Sequence, residues 1–77
     1  MDRAIHTAED LGRLIRDQRK RQGLRQTDLA AIIGASHVFV GDVEKGKPSV
    51  QLGRVLRLLD ELGLELRVSV PDAEASD

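Results

Sequence analysis

The chain has no cysteine, no tryptophan and no tyrosine, and its one aromatic residue is Phe39. Without cysteine there is no disulfide framework and no thiolate metal site, so a reducing cytoplasm suits the protein and nothing argues for secretion. No apolar run is long enough for a signal peptide or a membrane span. Catalytic patterns are missing as well: there is no Ser/His/Asp arrangement and no phosphate-binding glycine loop. The two histidines, His6 and His37, lack the helical spacing that would let them share a metal. The expectation is a cytoplasmic, non-enzymatic protein with no cofactor, no metal, no membrane contact and no small-molecule substrate. Its 77 residues make one small domain, a size at which oligomerisation often contributes to stability.

Charge is present but unevenly placed. A net charge of -1 looks wrong for a nucleic-acid binder until the ionisable residues are located. Between Arg13 and Arg25 six bases (Arg13, Arg16, Arg19, Lys20, Arg21, Arg25) face Asp17 alone, a local +5. From Asp60 onward six acids (Asp60, Glu61, Glu65, Asp72, Glu74, Asp77) face only Arg67, a local -5. Such polarity suits a basic working surface with an acidic tail, and solvated charged faces account for either half equally well.

The stretch from Gln26 to Gly46 organises the rest. Leu29, Ala30 and Ile33 recur at helical spacing, Gly34 is free to take positive φ at a helix end, and Ser36 is a good N-cap for a second helix carrying Val40 and Val43. Two short helices joined at a tight corner make a helix-turn-helix pattern, in which small Ala30 permits a close crossing and the second helix offers its outer face to a DNA major groove.

Upstream, residues 1–6 carry no pattern. Thr7 and Asp10 have capping-box spacing, and Leu11, Leu14, Ile15 and Gln18 form one helical stripe, with Gln18 expected at the rim of the core. Gly23 ends that helix. Gly12 and Gly53 fall inside helices, where close packing is the expected reason. Gly41 does too, and there the alternative is that a missing side chain lets the helix approach DNA. Phe39 is expected to pack in the core. Ser49 is the next expected N-cap, for a helix over 50–62 with Leu52, Val55, Leu56, Leu59 and Leu62 inward. Residues 64–70 then switch to period two: Leu64, Leu66, Val68 and Val70 on one face, Glu65, Arg67 and Ser69 on the other, and Pro71 as terminator. The acidic end, 71–77, has nothing to bury and is expected to be disordered.

These residues carry a family resemblance. Arg19, Gly23-Leu24 followed by Gln26, Leu29-Ala30, Gly34 and Ser36, and Val43 to Gly46 together resemble the Xre, phage-repressor-like helix-turn-helix family. The following GKPSVQLGRVLRLLDELGLELRV resembles the HipB-type antitoxins, whose chain ends in a β-strand shared by the dimer. The resemblance implies an all-α, lambda-repressor-like domain of four or five helices over 7–70, with a C-terminal β-strand (64–70) paired across a homodimer. It also implies a repressor that binds an inverted-repeat operator in double-stranded DNA, autoregulates its operon and binds a HipA-like kinase toxin. Gln26, Arg25, Lys45 and Lys47 fall on phosphate-contacting positions, and Ser36, His37, Val38, Gly41 and Asp42 on base-reading ones. Arg19 and Glu44 fall on positions that commonly form an ion pair between the first and third helices.

Some residues depart from the family or have plainer roles. Asp42 stands where a base or an amide is usual, and Arg25 where a capping Ser or Thr is usual. His37 is also compatible with simple exposure, and Ser36 with capping alone. A phage or plasmid regulator without a toxin partner is the rival reading, and a protein-interaction module that has lost DNA binding is the second.

The dimer expectation also follows from hydrogen-bond accounting, because a lone strand has no ladder partner in its own chain. Two antiparallel copies centred on Leu66 set Glu65 opposite Arg67 of the other chain and Leu64 opposite Val68, whereas centring on Arg67 sets like charges face to face.

Overall fold

The computed structural model describes residues 2–72, so Met1 and all of the expected acidic tail beyond Asp72 lie outside the described residues. Helix α1 is Ala8–Arg21. Its start is set locally: the Thr7 hydroxyl accepts from the Asp10 N–H at 3.0 Å, and the Asp10 carboxylate accepts from the N–H groups of Thr7 at 3.1 Å and His6 at 3.0 Å. This is the expected capping box, with Asp in the place of Glu.

Helices α2 (Gln26–Ile33) and α3 (His37–Lys45) form the corner. Gly34 closes α2 at φ 70° and ψ 34°, a left-handed conformation that any Cβ would strain, and the chain turns at once. Ala35 N–H donates back to Ala30 O at 2.9 Å, and the Ser36 hydroxyl caps α3 by accepting from Phe39 N–H at 3.2 Å. Helix α4 is Leu52–Glu61. Both α1 and α2 pack on α3, and α4 packs on α2. Between them lies a core of Ile15, Leu29, Ala30, Ile33, Val40, Val43, Val55, Leu58, Leu59 and Leu62, with Phe39 half-buried against it.

Close approach explains Gly12. A Cβ there would stand 2.5 Å from the carbonyl oxygens of both Val43 and Glu44, so α1 reaches the C-terminal end of α3 only because residue 12 has no side chain. Gln18 is half-buried and donates to Leu62 O at 3.4 Å; Gln22, one turn on, donates to the same carbonyl at 2.9 Å. One side chain of α1 and that of its C-cap residue thus satisfy a carbonyl at the end of α4 that has no partner within its helix.

Three expectations about the C-terminal third need correction. Helix α4 begins after Gln51 and not after Ser49, because Pro48 and Ser49 form a turn that holds the chain out of helical conformation; Gln51 itself makes no side-chain capping bond. Its inner face is Val55, Leu58, Leu59 and Leu62, whereas Leu52 is 67% and Leu56 39% exposed. Both stripes satisfy helical spacing, and contact with α2 selects the one containing Leu58. Gly53 does not mark a close packing within the chain, since a Cβ there would meet nothing within 4 Å.

Among the described residues there are four helices and no β-ladder. From Glu65 to Val70 the chain is exposed and has no regular secondary structure. Glu65 and Arg67 meet at 3.5 Å, as i, i+2 side chains do on one face of an extended chain. The expected strand is therefore not formed within a single chain, for want of a second strand to pair with.

Candidate nucleic-acid interface

The inner side of α3 is fixed by a polar cluster. Arg19 of α1 donates from Nε to Glu44 Oε2 at 2.7 Å and from NH2 to Glu44 Oε1 at 3.0 Å, a bidentate pair with side chains only 9% and 3% exposed. Its third nitrogen, NH1, donates to Leu24 O at 2.8 Å, so the guanidinium also ties down the α1–α2 loop. The hydrogen bonds that Arg19 donates to Glu44, more than the Glu44 charge alone, raise the Arg19 pKa above the ordinary arginine value. Gln26, the first residue of α2, adds a hydrogen bond from Nε2 to Glu44 Oε1 at 3.1 Å. One carboxylate near the end of α3 thereby receives donors from both preceding helices.

The outer side of α3 is left open. Ser36, His37 and Val38 at its start are exposed, Val38 by 58%, and Asp42 one turn on is half-buried. Ser36, Val38 and Asp42 line one groove with Phe39, Lys47, Ser49, Val50, Gln51 and Arg54. Within it Lys47 Nζ stands 3.6 Å from Asp42 Oδ2, so the carboxylate is partly neutralised by the loop lysine beside it. Gly41 lies next to Gln26, where a Cβ would meet the Gln26 side chain at 3.6 Å, an ordinary contact. Packing within the chain therefore does not require glycine at 41. Lys45 is exposed in the last turn of α3.

The basic cluster is less of a surface than its count suggests. Arg19 is buried with Glu44, Arg13 pairs with Asp10 at 2.7 Å, and Arg25 pairs with Asp28 at 3.1 Å. Arg25 has no side-chain acceptor with which to cap α2; instead the Asp28 carboxylate accepts the Arg25 backbone N–H at 2.8 Å. The guanidinium hydrogen bonds of Arg25, with its backbone N–H next, hold the Asp28 carboxyl below the usual range. The Arg25 side chain remains 81% exposed, and an exposed pair of this kind is weak enough to open to another anion.

The residues of 64–70 stand apart from this groove. Leu64 is half-buried on a different depression, lined by Arg3, Leu14, Asp17, Gln18, Lys20 and Arg21, and Leu66, Val68 and Val70 are exposed by 55%, 78% and 79%. Arg54, Gln51 and Ser49 were not expected on the groove. Arg54 comes there because α4 starts two residues late, and no spacing in the sequence signals its approach to Phe39.

Residues 10–71 match the helix-turn-helix domain family. The chain is 42% identical over 71 residues to an uncharacterized HTH-type transcriptional regulator, y4mF, of Sinorhizobium fredii, covering 92% of this chain and 93% of that protein. It superposes on the restriction-modification controller protein C.AhdI from Aeromonas hydrophila with a TM-score of 0.67 at 34% identity, over 75% of this chain and 84% of that one. A chain of the HipA-HipB-O2-O3 complex shares the fold with a TM-score of 0.81 at 20% identity, over 90% of this chain and 97% of that one. The chain belongs to the Xre-like helix-turn-helix family of transcriptional regulators.

Proposed function

We propose that this DNA-binding regulator is a sequence-specific repressor that docks as a homodimer on an inverted-repeat operator in its own promoter. The observation that carries this reading is the asymmetry of α3: Gly12, Arg19 and Gln26 grip its inner side, while Ser36, His37 and Val38 stand exposed at its leading end. A helix held so firmly on one side can present the other to a major groove in a single orientation. In this reading His37 donates or accepts at a base edge, Val38 meets a thymine methyl, and Asp42 accepts from a cytosine amine, with Ser36 reading as well as capping and Gly41 letting the helix sit deep. Arg25, Lys45, Lys47 and the N-terminal end of α2 at Gln26 take phosphates.

Fluorescence anisotropy on duplexes from the promoter upstream of its own reading frame tests this. Gln26→Ala and Lys47→Ala are expected to weaken operator and unrelated DNA alike, whereas His37→Ala and Val38→Ala blur the preference for operator, each good base contact being worth about 1–3 kcal/mol. A flat salt response of the unsubstituted protein overturns the proposal and favours a pure protein-interaction role.

Dimerisation is proposed to run through 64–70. The exposed Leu66, Val68 and Val70 and the backbone of 65–70, which belongs to no ladder, are what a second copy of the segment would cover, in the Leu66-centred antiparallel register. The HipB-like fold supports one further reading: the protein acts as the antitoxin partner of a HipA-like kinase toxin. An adjacent reading frame with kinase motifs whose product co-purifies with this chain is the expected result; a locus without one leaves a regulator of the phage or plasmid kind.

A further inference from the structure

Arg54 is a cation that the fold does not account for. It is exposed near the start of α4, and among the described residues it makes no ion pair. A positive side chain in the first turn of a helix lies against the dipole, so local electrostatics give it no reason to be there. Its guanidinium carbon lies 5.9 Å from the centre of the Phe39 ring, the chain's single aromatic. Phe39 belongs to α3, and its ring faces the groove whose wall also carries Ser36, Val38, Asp42 and Lys47.

A phosphate strand that follows the exposed edge of α3 must cross this groove. Of its two cations, Lys47 must give up its 3.6 Å contact with Asp42 to take a phosphate, whereas Arg54 has its fork of donors uncommitted to any ion pair. Resting on an aromatic face orients a guanidinium without consuming its N–H groups, because the attraction runs through the ring and the donors lie in the guanidinium plane.

We propose that Arg54 is a phosphate clamp of the operator complex and that Phe39 is its positioning residue: the ring holds the guanidinium beside the reading helix, where its in-plane donors take two oxygens of one phosphate. This inference rests on the DNA-binding reading above. It adds an anchor from α4 that fixes how deep and at what angle α3 enters the groove.

The test is anisotropy of labelled promoter duplex against salt concentration for the full chain and for Arg54→Ala, with Arg57→Ala as control, since Arg57 is an exposed arginine one turn along the same helix. Arg54→Ala should weaken operator and unrelated duplex by about tenfold per half-site near 0.15 M salt. It should also make the slope of log affinity against log salt shallower by about 0.9 for each phosphate no longer neutralised, hence about 1.8 for two bound copies. Arg57→Ala should leave both unchanged. Phe39→Leu, which keeps an apolar side chain toward the core, should weaken binding too, and in that background Arg54→Ala should cost less than it does alone.

An unchanged slope for Arg54→Ala, or equal effects of Arg54→Ala and Arg57→Ala, overturns the clamp while leaving the DNA-binding reading intact. Absence of salt-dependent binding by the unsubstituted protein overturns both. The melting temperature of Arg54→Ala is expected to match the unsubstituted chain, which separates a missing phosphate ligand from a damaged fold.

Discussion

Glu44→Ala is the substitution that most directly probes how α3 is held. It removes both acceptors of a bidentate arginine whose side chain is 9% exposed, and it strips Gln26 of its bond to the same carboxylate. What remains is a guanidinium with one satisfied nitrogen, at Leu24 O, and too little water to solvate the rest. Breaking a buried pair from one side costs about 3–5 kcal/mol. Two effects run the other way. Glu44 sits in the last turn of α3, where a negative charge opposes the helix dipole by about 0.3–1 kcal/mol, and alanine is the better helix former by a few tenths. The net expectation is a loss of about 3 kcal/mol. A domain of this length is stable by only about 4–12 kcal/mol in all. At about 4–8 °C per kcal/mol, the melting midpoint followed by circular dichroism at 222 nm should fall by roughly 12–24 °C. Arg19→Ala should be comparably harmful, and the double variant should be milder than the sum of the two by about 1–3 kcal/mol. Raising the salt should change the deficit little, since a pair this buried is poorly screened. A Glu44→Ala midpoint within a degree or two of the parent would refute the reasoning, because losses that small belong to exposed pairs.

Three other predictions follow from the same structure. Gly12→Ala should destabilise by several kcal/mol, since its Cβ would overlap two backbone carbonyls that cannot move without shifting α3, whereas Gly53→Ala should raise the midpoint, its site being open and alanine favoured in a helix by about 1 kcal/mol. The Asp10 carboxyl lies below its usual pKa, chiefly through the His6 N–H and then through Thr7 and Arg13, and Asp28 lies below it through Arg25. A depressed folded-state pKa gives stability that is complete above the unfolded carboxyl range, about pH 4, and is lost as the pH falls through the folded value, so melts should stay level down to about pH 4 and then decline, less steeply for Asp10→Asn or Asp28→Asn. Val68→Pro removes a ladder N–H in the segment proposed to pair between copies, and it should abolish both the dimer in sedimentation and operator binding; a variant that still sediments as a dimer and binds DNA normally rules that architecture out.

What could be read from residues alone was what is decided locally. Thr7 with Asp10, Gly34 and Ser36 each act on backbone within four residues of themselves, and the corner they build is the corner observed. The partnership of Arg19 with Glu44 spans 25 residues and carries no local signal; only the family pattern pointed to it, and the structure supplies its geometry. Helix α4 was legible as a helix but not in its rotation, because Leu52, Val55, Leu56, Leu58, Leu59 and Leu62 support two overlapping stripes and only the position of α2 chooses between them. The leftover Leu52 and Leu56, with open space over Gly53, give α4 an apolar outer face that a single chain leaves uncovered. Arg54 was invisible for a different reason: its relation to Phe39 depends on where the turn at Pro48 and Ser49 delivers the start of α4.

The net charge of -1 would argue against nucleic-acid binding if charges acted as a sum over the chain, and the structure shows why they do not. Of the acids on α1, α2 and α3, Asp10, Asp28, Asp42 and Glu44 each lie against a base, respectively Arg13, Arg25, Lys47 and Arg19. A phosphate approaching the leading end of α3 therefore meets an Asp42 paired with Lys47 and, across the same groove, the guanidinium of Arg54. The pairs differ in kind, and the difference sorts their roles. Arg19–Glu44 is buried and can only hold α3 in place. Arg25–Asp28 and Lys47–Asp42 are exposed or half-exposed, at 3.1 and 3.6 Å, and can exchange a carboxylate for a phosphate at little cost. The fold thus buries its structural cation against α3 and leaves its exchangeable ones exposed at the start of α2 and just after α3, which is how a slightly acidic chain can still offer a local site for a polyanion.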